Sequence, residues 1–374
     1  MLAGVGATGT LPHEGAGRPA SPARRKYLAW AVGVGGILLV LLSPALGTVA
    51  IPTGTVFAIL LHQLSGGFLF SDPCSGTGVS PRLCSAWVEI VWTSRLPAIL
   101  LALTAGAALG MSGATLQGIF RNPLADPYLL GLSAGGTLGA AVLFVFQVGQ
   151  SEANVALPAF AFLGSILTGL AILLAARVMG GSVESLLLTG VALMSLLSAI
   201  LSILLLYNPV GSLQVDFWLL GGLGGATWDR VGIAFGGVLV AGVMLSLYRR
   251  ELNLLQLGPE VAHSLGVEAN RVRTRLLLFS SLATAMAVAF TGIIGFVGLV
   301  SPHIVRRLVG PDYRRVLPGS ALVGGVFLLA ANDLAIGAFP QTALPVGIFT
   351  AFVGAPFFLY LLYRRRHAPG GAPP

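Results

Sequence analysis

The sequence predicts an all-α integral membrane protein with about ten transmembrane helices, on the basis of three observations. The composition is 55% hydrophobic and only 9% charged, whereas a soluble domain carries about 25% charged residues. The apolar runs are continuous rather than alternating, and lipid requires backbone polar groups to bond internally, so the runs indicate helices rather than a closed barrel. The basic residues cluster between these runs, and their distribution decides how the spans are counted.

Length identifies most of the spans. A helix needs roughly 20 apolar residues to cross the hydrocarbon core of a bilayer. Several segments come close to this length and carry few charges. They are residues 27–49, 96–120, 128–148, 158–179, 186–207, 231–248, 316–333 and 344–363.

The stretch from Leu276 to Val305 has no Asp, Glu, Lys or Arg over 30 residues. As one helix it would be roughly 45 Å long, too long for one simple span and short for two full ones. Three glycines within residues 291–298 permit an irregular backbone there. We therefore predict that the chain turns back near 291–298, with a full seventh helix followed by a short eighth helix.

The arginines support this reversal and set the orientation. With ten spans and a cytoplasmic N-terminus, every Lys and Arg except Arg82, Arg95 and Arg230 falls on the cytoplasmic side, as the positive-inside rule requires. A single crossing at 276–305 would place the later arginine clusters outside. The prediction is a multi-pass protein of the cell (inner) membrane with both termini cytoplasmic.

Three regions follow along the chain. Residues 1–26 are predicted to be a disordered cytoplasmic N-terminal tail, because they are rich in Gly, Ala and Pro and lack an apolar stretch. Residues 27–365 form the ten-helix transmembrane domain, and residues 366–374 form a cytoplasmic C-terminal tail. The first apolar stretch is too long for the core of a signal peptide, so it is predicted to be a retained helix.

The two cysteines, Cys74 and Cys84, lie in a loop predicted to face the exterior. Gly and Pro make this loop flexible enough to close, and an oxidising exterior permits a disulfide. The alternative is two unrelated thiols. Both lie far from any metal-like cluster, so no metal site is predicted.

The motifs that are absent restrict the chemistry. No GxxxxGK[ST] loop occurs and Lys26 is the one lysine, so the chain does not hold ATP in that mode. An ion-coupled secondary transporter usually buries acids along its path, and Asp333, near an outer helix end, is the main candidate. An intramembrane enzyme would need convergent catalytic groups, and none is found. Nucleic-acid binding would need a basic patch on a soluble fold, and the sequence shows no such patch.

The segment QGIFRNPLADPYLLGLSAGG, residues 117–136, carries helix-breaking signals. Pro123 and Pro127 prevent continuation of the preceding helix, and Asp126 is suited to cap the next one. The segment is therefore predicted to be a tight turn, and it is a candidate gate.

The longer polar segment, residues 251–273, is amphipathic at helical spacing. Pro259 marks a helix start and Gly266 a helix end. A short helix of this kind suits a groove on a partner protein, and the alternative is a helix resting on lipid.

Four blocks of the sequence resemble the hallmarks of the FecCD-type permeases, the membrane subunits of type II ATP-binding-cassette (ABC) importers for iron–siderophore complexes, haem and cobalamin. The blocks are QGIFRNPLADPYLLGL at 117–132, LGPEVAHSLGV at 257–267, GIIGFVGLVSPHIV at 292–305 and LPVGIFTAFVGAPFFLYLL at 344–362. They cover the chain from about residue 30 to residue 365 in the expected order. Four blocks at the expected spacing are far more specific than any single motif.

The resemblance implies a permease that pairs with a second copy or a related permease, and that binds two cytoplasmic ABC ATPase subunits and an extracytoplasmic substrate-binding protein. ATP and Mg would bind to the ATPases, with no cofactor on this chain. The fifth and tenth helices would line the path at the dimer axis. The residues matching the ATPase-coupling helix are Leu257, Gly258, Pro259, Glu260, Ala262, His263, Leu265 and Gly266. The residues matching the gates are Asn122, Leu124 and Val183.

The resemblance also implies arginines on the outer surface that attract acidic residues of the docking protein. The family positions for these arginines are Arg95, Ala98 and Gly337, and the position of a common Glu before LPVG is Ala343. Because just one of these four residues follows the family pattern, Arg82 and Arg230 are predicted to substitute. The alternative for Arg95 is a structural anchor at the start of the second span.

The predicted function is therefore that of a permease subunit, not an enzyme, that moves an iron(III)–siderophore or similar metal chelate inward with energy from a separate ATPase. The alternatives are a haem or cobalamin permease of the same family and an ion-coupled secondary transporter.

Overall fold

The computed structural model describes residues 22–68, 72–147, 153–179, 182–338 and 344–366, and the regular elements within these ranges are helices. Most of the two predicted tails, and Ala343, lie outside the described residues. The helices are α1 (Pro22–Leu42), α2 (Thr53–Leu64), α3 (Pro81–Glu89), α4 (Leu96–Phe120), α5 (Leu132–Phe146), α6 (Ala153–Val178), α7 (Val183–Leu206), α8 (Pro209–Leu219), α9 (Trp228–Leu247), α10 (Arg249–Gln256), α11 (Pro259–Ser264), α12 (Ala269–Thr291), α13 (Val297–Val309), α14 (Tyr313–Ala338) and α15 (Val346–Arg366).

Ten of these helices account for the predicted spans. In the described part of the chain, eight helical segments are long and apolar enough to cross a membrane, and they contain α1, α4, α6, α7, α9, α12, α14 and α15. The shorter α5 and α13, with 15 and 13 residues, complete the set. Irregular backbone at membrane depth is tolerated where protein or a cavity surrounds it, which is the situation at the start of both short helices.

The predicted reversal lies between α12 and α13. Helix α12 ends at Thr291 and α13 begins at Val297. Arg273, near the start of α12, and Arg121, at the end of α4, are close enough to repel each other. These two helix ends are therefore neighbours. Helix α13 returns to that same end, where the Arg306 guanidinium donates a hydrogen bond to the side chain of Gln117. We call this end of the bundle, which holds these three arginines, the arginine-rich end.

Helix α4 packs closely because small residues bring backbones into contact. A Cβ atom built on Gly113 would lie 2.0 Å from the carbonyl oxygen of Gly298 in α13. A Cβ atom on Gly110 would lie 2.1 Å from the carbonyl oxygen of Ser320 in α14. Small residues at such crossings are typical of membrane helices, which lack a hydrophobic drive to associate in lipid.

The opposite end carries structure that the span count missed. Helices α2 and α3 have 12 and 9 residues, so they are too short to be recognised as spans. A six-residue π-helical segment, Ile90–Arg95, joins α3 to α4. These elements enclose a small apolar cluster of Ile51, Val56, Ile59, Cys74, Trp87 and Val91. The cluster forms a compact cap over the end of the second span that lies opposite the arginine-rich end.

Helix α8 is a further short element that follows α7 and supports the reversal. The Gly222 N–H, just beyond α8, donates to the carbonyl oxygen of Thr291 at 2.8 Å. A Cβ atom on Gly221 would lie 2.3 Å from the carbonyl oxygen of Ile293. The irregular backbone between α12 and α13 is therefore held in protein, as its polar groups require.

Candidate functional site

The predicted coupling segment lies at the arginine-rich end, where Gly258 is next to the guanidinium of Arg121. The helix itself is α11, with Pro259 at its first position. Gly258 and Gly266 flank it with φ angles of 110° and 80°. These left-handed conformations favour glycine, so the sequence dictates where the helix starts and stops.

The coupling segment presents an apolar surface that the described part of the chain leaves about half exposed. Ala262 is fully buried and attaches the segment to the bundle. On the other side lie three large apolar side chains with exposed fractions of 60%, 43% and 53%, namely Leu257, Val261 and Leu265. We call these three residues the coupling surface. Glu260 and His263 are also exposed, so the surface has apolar residues with a charged or polar rim, which is typical of a protein interface.

The predicted gate turn follows α4 directly. Arg121 adopts a left-handed conformation with φ of 50°. Its N–H donates to the carbonyl oxygen of Gly118 at 3.3 Å, and the Asn122 N–H donates to the carbonyl oxygen of Gln117 at 3.2 Å. These two bonds form a Schellman motif that closes the helix. The Asn122 side chain then accepts a hydrogen bond from the Leu124 N–H at 3.0 Å, which fixes the turn.

The other predicted gate residue, Val183, opens α7, where Ser182 caps the helix by accepting from the Ser185 N–H at 3.0 Å. The Val183 side chain lies outside the described residues. The turn after Asn122 packs on the backbone of α7. A Cβ atom built on Gly131 would lie 3.0 Å from the carbonyl oxygen of Gly190 in α7.

Asp126 caps the short 3₁₀ turn that leads into α5. Its Oδ1 accepts a hydrogen bond from the Tyr128 N–H at 2.9 Å. Its Oδ2 is buried and has no hydrogen-bond partner among the described residues. Burial raises the pKa of Asp126 to about 6, although the Tyr128 N–H bond opposes the shift. The sequence identified the cap but not the burial of this carboxyl group.

A cavity of about 940 Å³ extends from the gate turn toward the opposite end. Its walls are mostly apolar and come from the gate turn, α8, the reversal, α13 and α15. The lining residues include Leu124, Asp126, Leu220, Phe296, Gly347 and Phe352. The volume falls within the range of ligand-sized pockets. The tenth predicted span, α15, is thus a wall of this cavity, whereas no described residue of the fifth span, α7, lines it.

Phe296 stands at the start of α13, in the wall of this cavity. Its φ angle is 67°, which is unusual for a bulky residue. A Cβ atom on Gly354 of α15 would lie 2.2 Å from the Cγ atom of Phe296, so the ring packs directly on that glycine. Strained backbone of this kind persists where the surroundings hold it, and it often occurs in switch regions.

A polar cluster links α4, α13 and α14 at the arginine-rich end. Arg306 donates to the side chain of Gln117 and, at 3.1 Å, to the Tyr313 hydroxyl. Gln117 in turn donates to the carbonyl oxygen of Gly298 at 3.2 Å. The guanidinium also lies 5.7 Å from the centre of the Tyr313 ring, a cation–π distance. Sequence reasoning treated Arg306 as a topology signal and missed this role.

The three arginines predicted to dock a partner protein lie in different environments. Arg82 is exposed. Arg230 is partly buried and donates to the carbonyl oxygen of Gly225 at 2.8 Å. Arg95 is 9% exposed and donates to the carbonyl oxygens of Pro44, at 2.9 Å, and Val49. Arg95 therefore matches the alternative of a structural anchor, and its guanidinium has little surface to offer a partner.

Cys74 and Cys84 are joined by a disulfide at the end of the bundle opposite the arginine-rich end. Asp72 has an oxygen near the two sulfurs. Metal binding by cysteine requires the thiolate, which a disulfide removes. This group is therefore a poor metal site.

Comparison with known proteins decides the family. The profile of the FecCD transport family matches residues 35–364. The chain belongs to the FecCD transport family. FecCD proteins are ABC transporter permeases, which are transport subunits rather than enzymes, and this chain is a multi-pass membrane permease of an ABC importer that works with a partner ATPase.

Several curated relatives of this FecCD chain are similar over most of their length. The cobalamin import system permease protein BtuC of Halobacterium salinarum is 45% identical over 74% of this chain and 74% of its own length. The hemin transport system permease protein HmuU of Yersinia pestis is 39% identical over 79% of this chain and 88% of its own. The Fe(3+)-citrate import system permease protein YfmE of Bacillus subtilis is 41% identical over 82% and 92%.

A solved structure supports the same assignment for the fold. An inward-facing metal-chelate type ABC transporter matches this FecCD chain with a TM-score of 0.74 and 27% identity. The match covers 91% of this chain and 99% of that chain. The all-helical architecture predicted from the sequence is therefore confirmed.

Proposed function

We propose that this permease moves an iron(III)–siderophore complex or a similar metal chelate inward through the membrane. The observation that supports this function is the family match over residues 35–364, which includes the coupling segment and the cavity wall. The cavity has room for a bulky ligand, and its mostly apolar walls with a few polar groups are typical of small-molecule sites.

The coupling surface is where we expect the ATPase to bind. Leu257, Val261 and Leu265 are exposed outside the bundle's apolar core, and covering them would remove apolar area from water. ATP drives transport if the closed ATPase pair favours one permease conformation over the other, because an equilibrium shifts by the difference in binding. ATP and Mg bind to the ATPase subunits, and this chain carries no cofactor of its own.

The remaining partners follow from the same proposal. Two permeases, either two copies of this chain or one copy with a relative, pair along the exposed faces of α7 and α15. A substrate-binding protein docks at the end that holds the disulfide, with Arg82 as the most accessible of the predicted docking arginines. The arginine-rich end and both termini face the cytoplasm, as the positive-inside rule requires.

Co-purification tests the ATPase partner. The permease is co-expressed with the ATPase of its importer, and Leu265→Asp or Glu260→Lys is expected to reduce the bound ATPase at least tenfold. Leu83→Asp, an exposed leucine on α3 at the opposite end, is the matched control and should retain the ATPase. Equal retention by the variants and the control would contradict a coupling role for α11.

Uptake measurements test the substrate. Proteoliposomes containing the permease, its ATPase and its binding protein are supplied with an iron(III)–hydroxamate chelate. ATP-dependent accumulation of iron inside supports the proposal. Accumulation driven by an ion gradient without ATP would favour the secondary transporter instead.

A cobalamin or haem cargo is the second candidate, because the relative with 45% identity is a cobalamin permease and the relative with 39% identity is a hemin permease. Competition among the iron chelate, haem and cobalamin in the same proteoliposomes separates these cargoes. The compound that is accumulated at the lowest concentration identifies the substrate class.

A further inference from the structure

Helix α10 connects the coupling segment to the rest of the bundle. Its apolar side is anchored, because Leu252 and Leu255 are almost completely buried. Its polar side carries two amide side chains that bond to other helices, Gln256 and Asn253. Two residues, Leu257 and Gly258, separate α10 from α11, so a displacement of α11 acts on α10 almost directly.

Gln256 bonds to the helix that carries the gate turn. Its Nε2 atom donates to the carbonyl oxygen of Gly118 at 2.8 Å. That carbonyl also accepts the Arg121 N–H of the Schellman motif. Gln256 therefore holds the hydrogen-bonded turn from which Asn122 and Leu124 project.

Asn253 bonds to a different helix. Its Nδ2 atom donates to Asp312 at 2.7 Å, and its Oδ1 accepts from the Tyr313 N–H at 3.0 Å. The Arg314 N–H and the Asn253 amide hold the pKa of Asp312 below its ordinary value, because both bonds favour the carboxylate. This double contact attaches α10 to the start of α14, whereas Gln256 is the α10 side chain that hydrogen-bonds to the end of α4, where Leu252 makes only an apolar contact.

We propose that Gln256 is a positioning residue that transmits movement of the coupling segment to the gate turn, while Asn253 holds the base of α10 against α14. The inference rests on the proposed function, because it takes the ATPase to move α11. Because Gln256 bonds to a backbone carbonyl, at 2.8 Å, a movement of Gln256 would displace the backbone of the turn and not just one side chain. Displacement of α11 thereby reaches Asn122 and Leu124 without passing through the apolar core.

The test compares ATP hydrolysis with transport in the full complex. Gln256→Met keeps the length of the side chain and removes the donor. We expect the ATPase to remain bound and hydrolysis to stay within twofold of wild type, while iron(III)–hydroxamate transported per ATP falls about tenfold. Gln214→Met, an exposed glutamine on α8, is the matched control and should retain the wild-type ratio.

Two further variants separate positioning from folding. Gln256→Lys keeps a donor that can reach the last carbonyls of α4, and it should recover at least half of the wild-type ratio. Gln256→Glu is similar in size but presents an ionised acceptor to the Gly118 carbonyl, and it should remain uncoupled. Because Gln256→Lys and Gln256→Glu are compared with each other, the test remains valid if Gln256→Met fails to fold.

A wild-type ratio of transport to hydrolysis in Gln256→Met or Gln256→Glu would overturn the inference. Equal loss in Gln256→Lys and Gln256→Glu would also overturn it, because the donor would then be irrelevant. Retention of the ATPase by Leu265→Asp would instead contradict the proposed function. The two failures are therefore distinguishable.

Discussion

Helices α4 and α15 are both long and apolar enough to cross a membrane, yet they have opposite surroundings. In the segment that contains α4, 83% of the most apolar window is buried within the chain, against 22% for α15. Other helices surround α4, and its glycines allow those helices to approach. Helix α15 leaves large apolar side chains uncovered, among them Phe352 and Leu359. The comparison separates a fixed scaffold from a surface that needs lipid or a second permease.

Gly113→Val tests the scaffold and carries the largest expected effect. The new side chain would begin 2.0 Å from the Gly298 carbonyl oxygen, so α4 and α13 must separate. We expect a loss of more than about 3 kcal/mol of stability, at or beyond the usual range for overpacking, and little folded protein on size-exclusion chromatography. Gly236→Val in α9, where the site is open, is the control. A wild-type Tm for Gly113→Val would contradict the packing described for α4.

Phe352→Ala tests the uncovered face of α15. Phe352 is 73% exposed, and in the proposed dimer it would be covered by the second permease. Truncation should weaken dimerisation about tenfold or more, since buried aromatic residues often dominate an interface. Light scattering in detergent across a concentration series measures the effect. Phe235→Ala, an exposed aromatic residue on α9, should leave the dimer unchanged, and equal behaviour of both variants would indicate that α15 faces lipid.

Gly354→Ala tests a point where α15 is tightly packed against α13. The new methyl group would overlap the ring of Phe296, which must turn or shift. The expected cost is about 1–3 kcal/mol, and it appears as a lower Tm. Gly232→Ala, at an open position in α9, should not lower the Tm. An unchanged Tm for Gly354→Ala would show that the Phe296 ring moves freely and that the strained turn does not depend on α15.

Asp126→Asn has the smallest expected effect. It tests the turn after α4, where the tightly packed helix meets the cavity wall. Burial raises the pKa of Asp126 to about 6, so the folded chain favours the protonated carboxyl group. The associated stability is fully present below about pH 4 and is lost as the pH rises through about 6. The full shift corresponds to about 3 kcal/mol, and the open cavity beside Asp126 reduces this, so the variant should match wild type near pH 4 and be about 1–2 kcal/mol more stable at pH 7. Thermal melts at several pH values check this, and parallel curves would contradict the burial of the carboxyl group.

The sequence alone predicted the structural features that are set by short, local sequence patterns. The length of the apolar runs identified most spans, and the glycines at 291–298 together with the arginines predicted the reversal that α12 and α13 show. Pro259 and Gly266 bounded the coupling segment because their backbone preferences act within one or two residues.

What the sequence could not predict depends on contacts between distant segments. The bond from Gln256 to Gly118 joins residues 138 positions apart, and a glutamine in an amphipathic loop carries no signal of its partner. Arg95 gives the same lesson, because its charge suggested an outer surface while the carbonyls of Pro44 and Val49 draw it inward. The short helices α2 and α8 were missed because length was the criterion for a span.

The Cys74–Cys84 disulfide has a practical consequence for studies of membrane insertion. The chain has two cysteines, and they are bonded to each other. Disulfides persist in oxidising compartments and are rare in the cytosol. In the proposed orientation the disulfide faces the exterior, so a chain inserted the other way would keep two alkylatable thiols, while a chain in the proposed orientation would keep none. Maleimide labelling of unreduced membranes thus counts misinserted molecules directly, with no engineered tag.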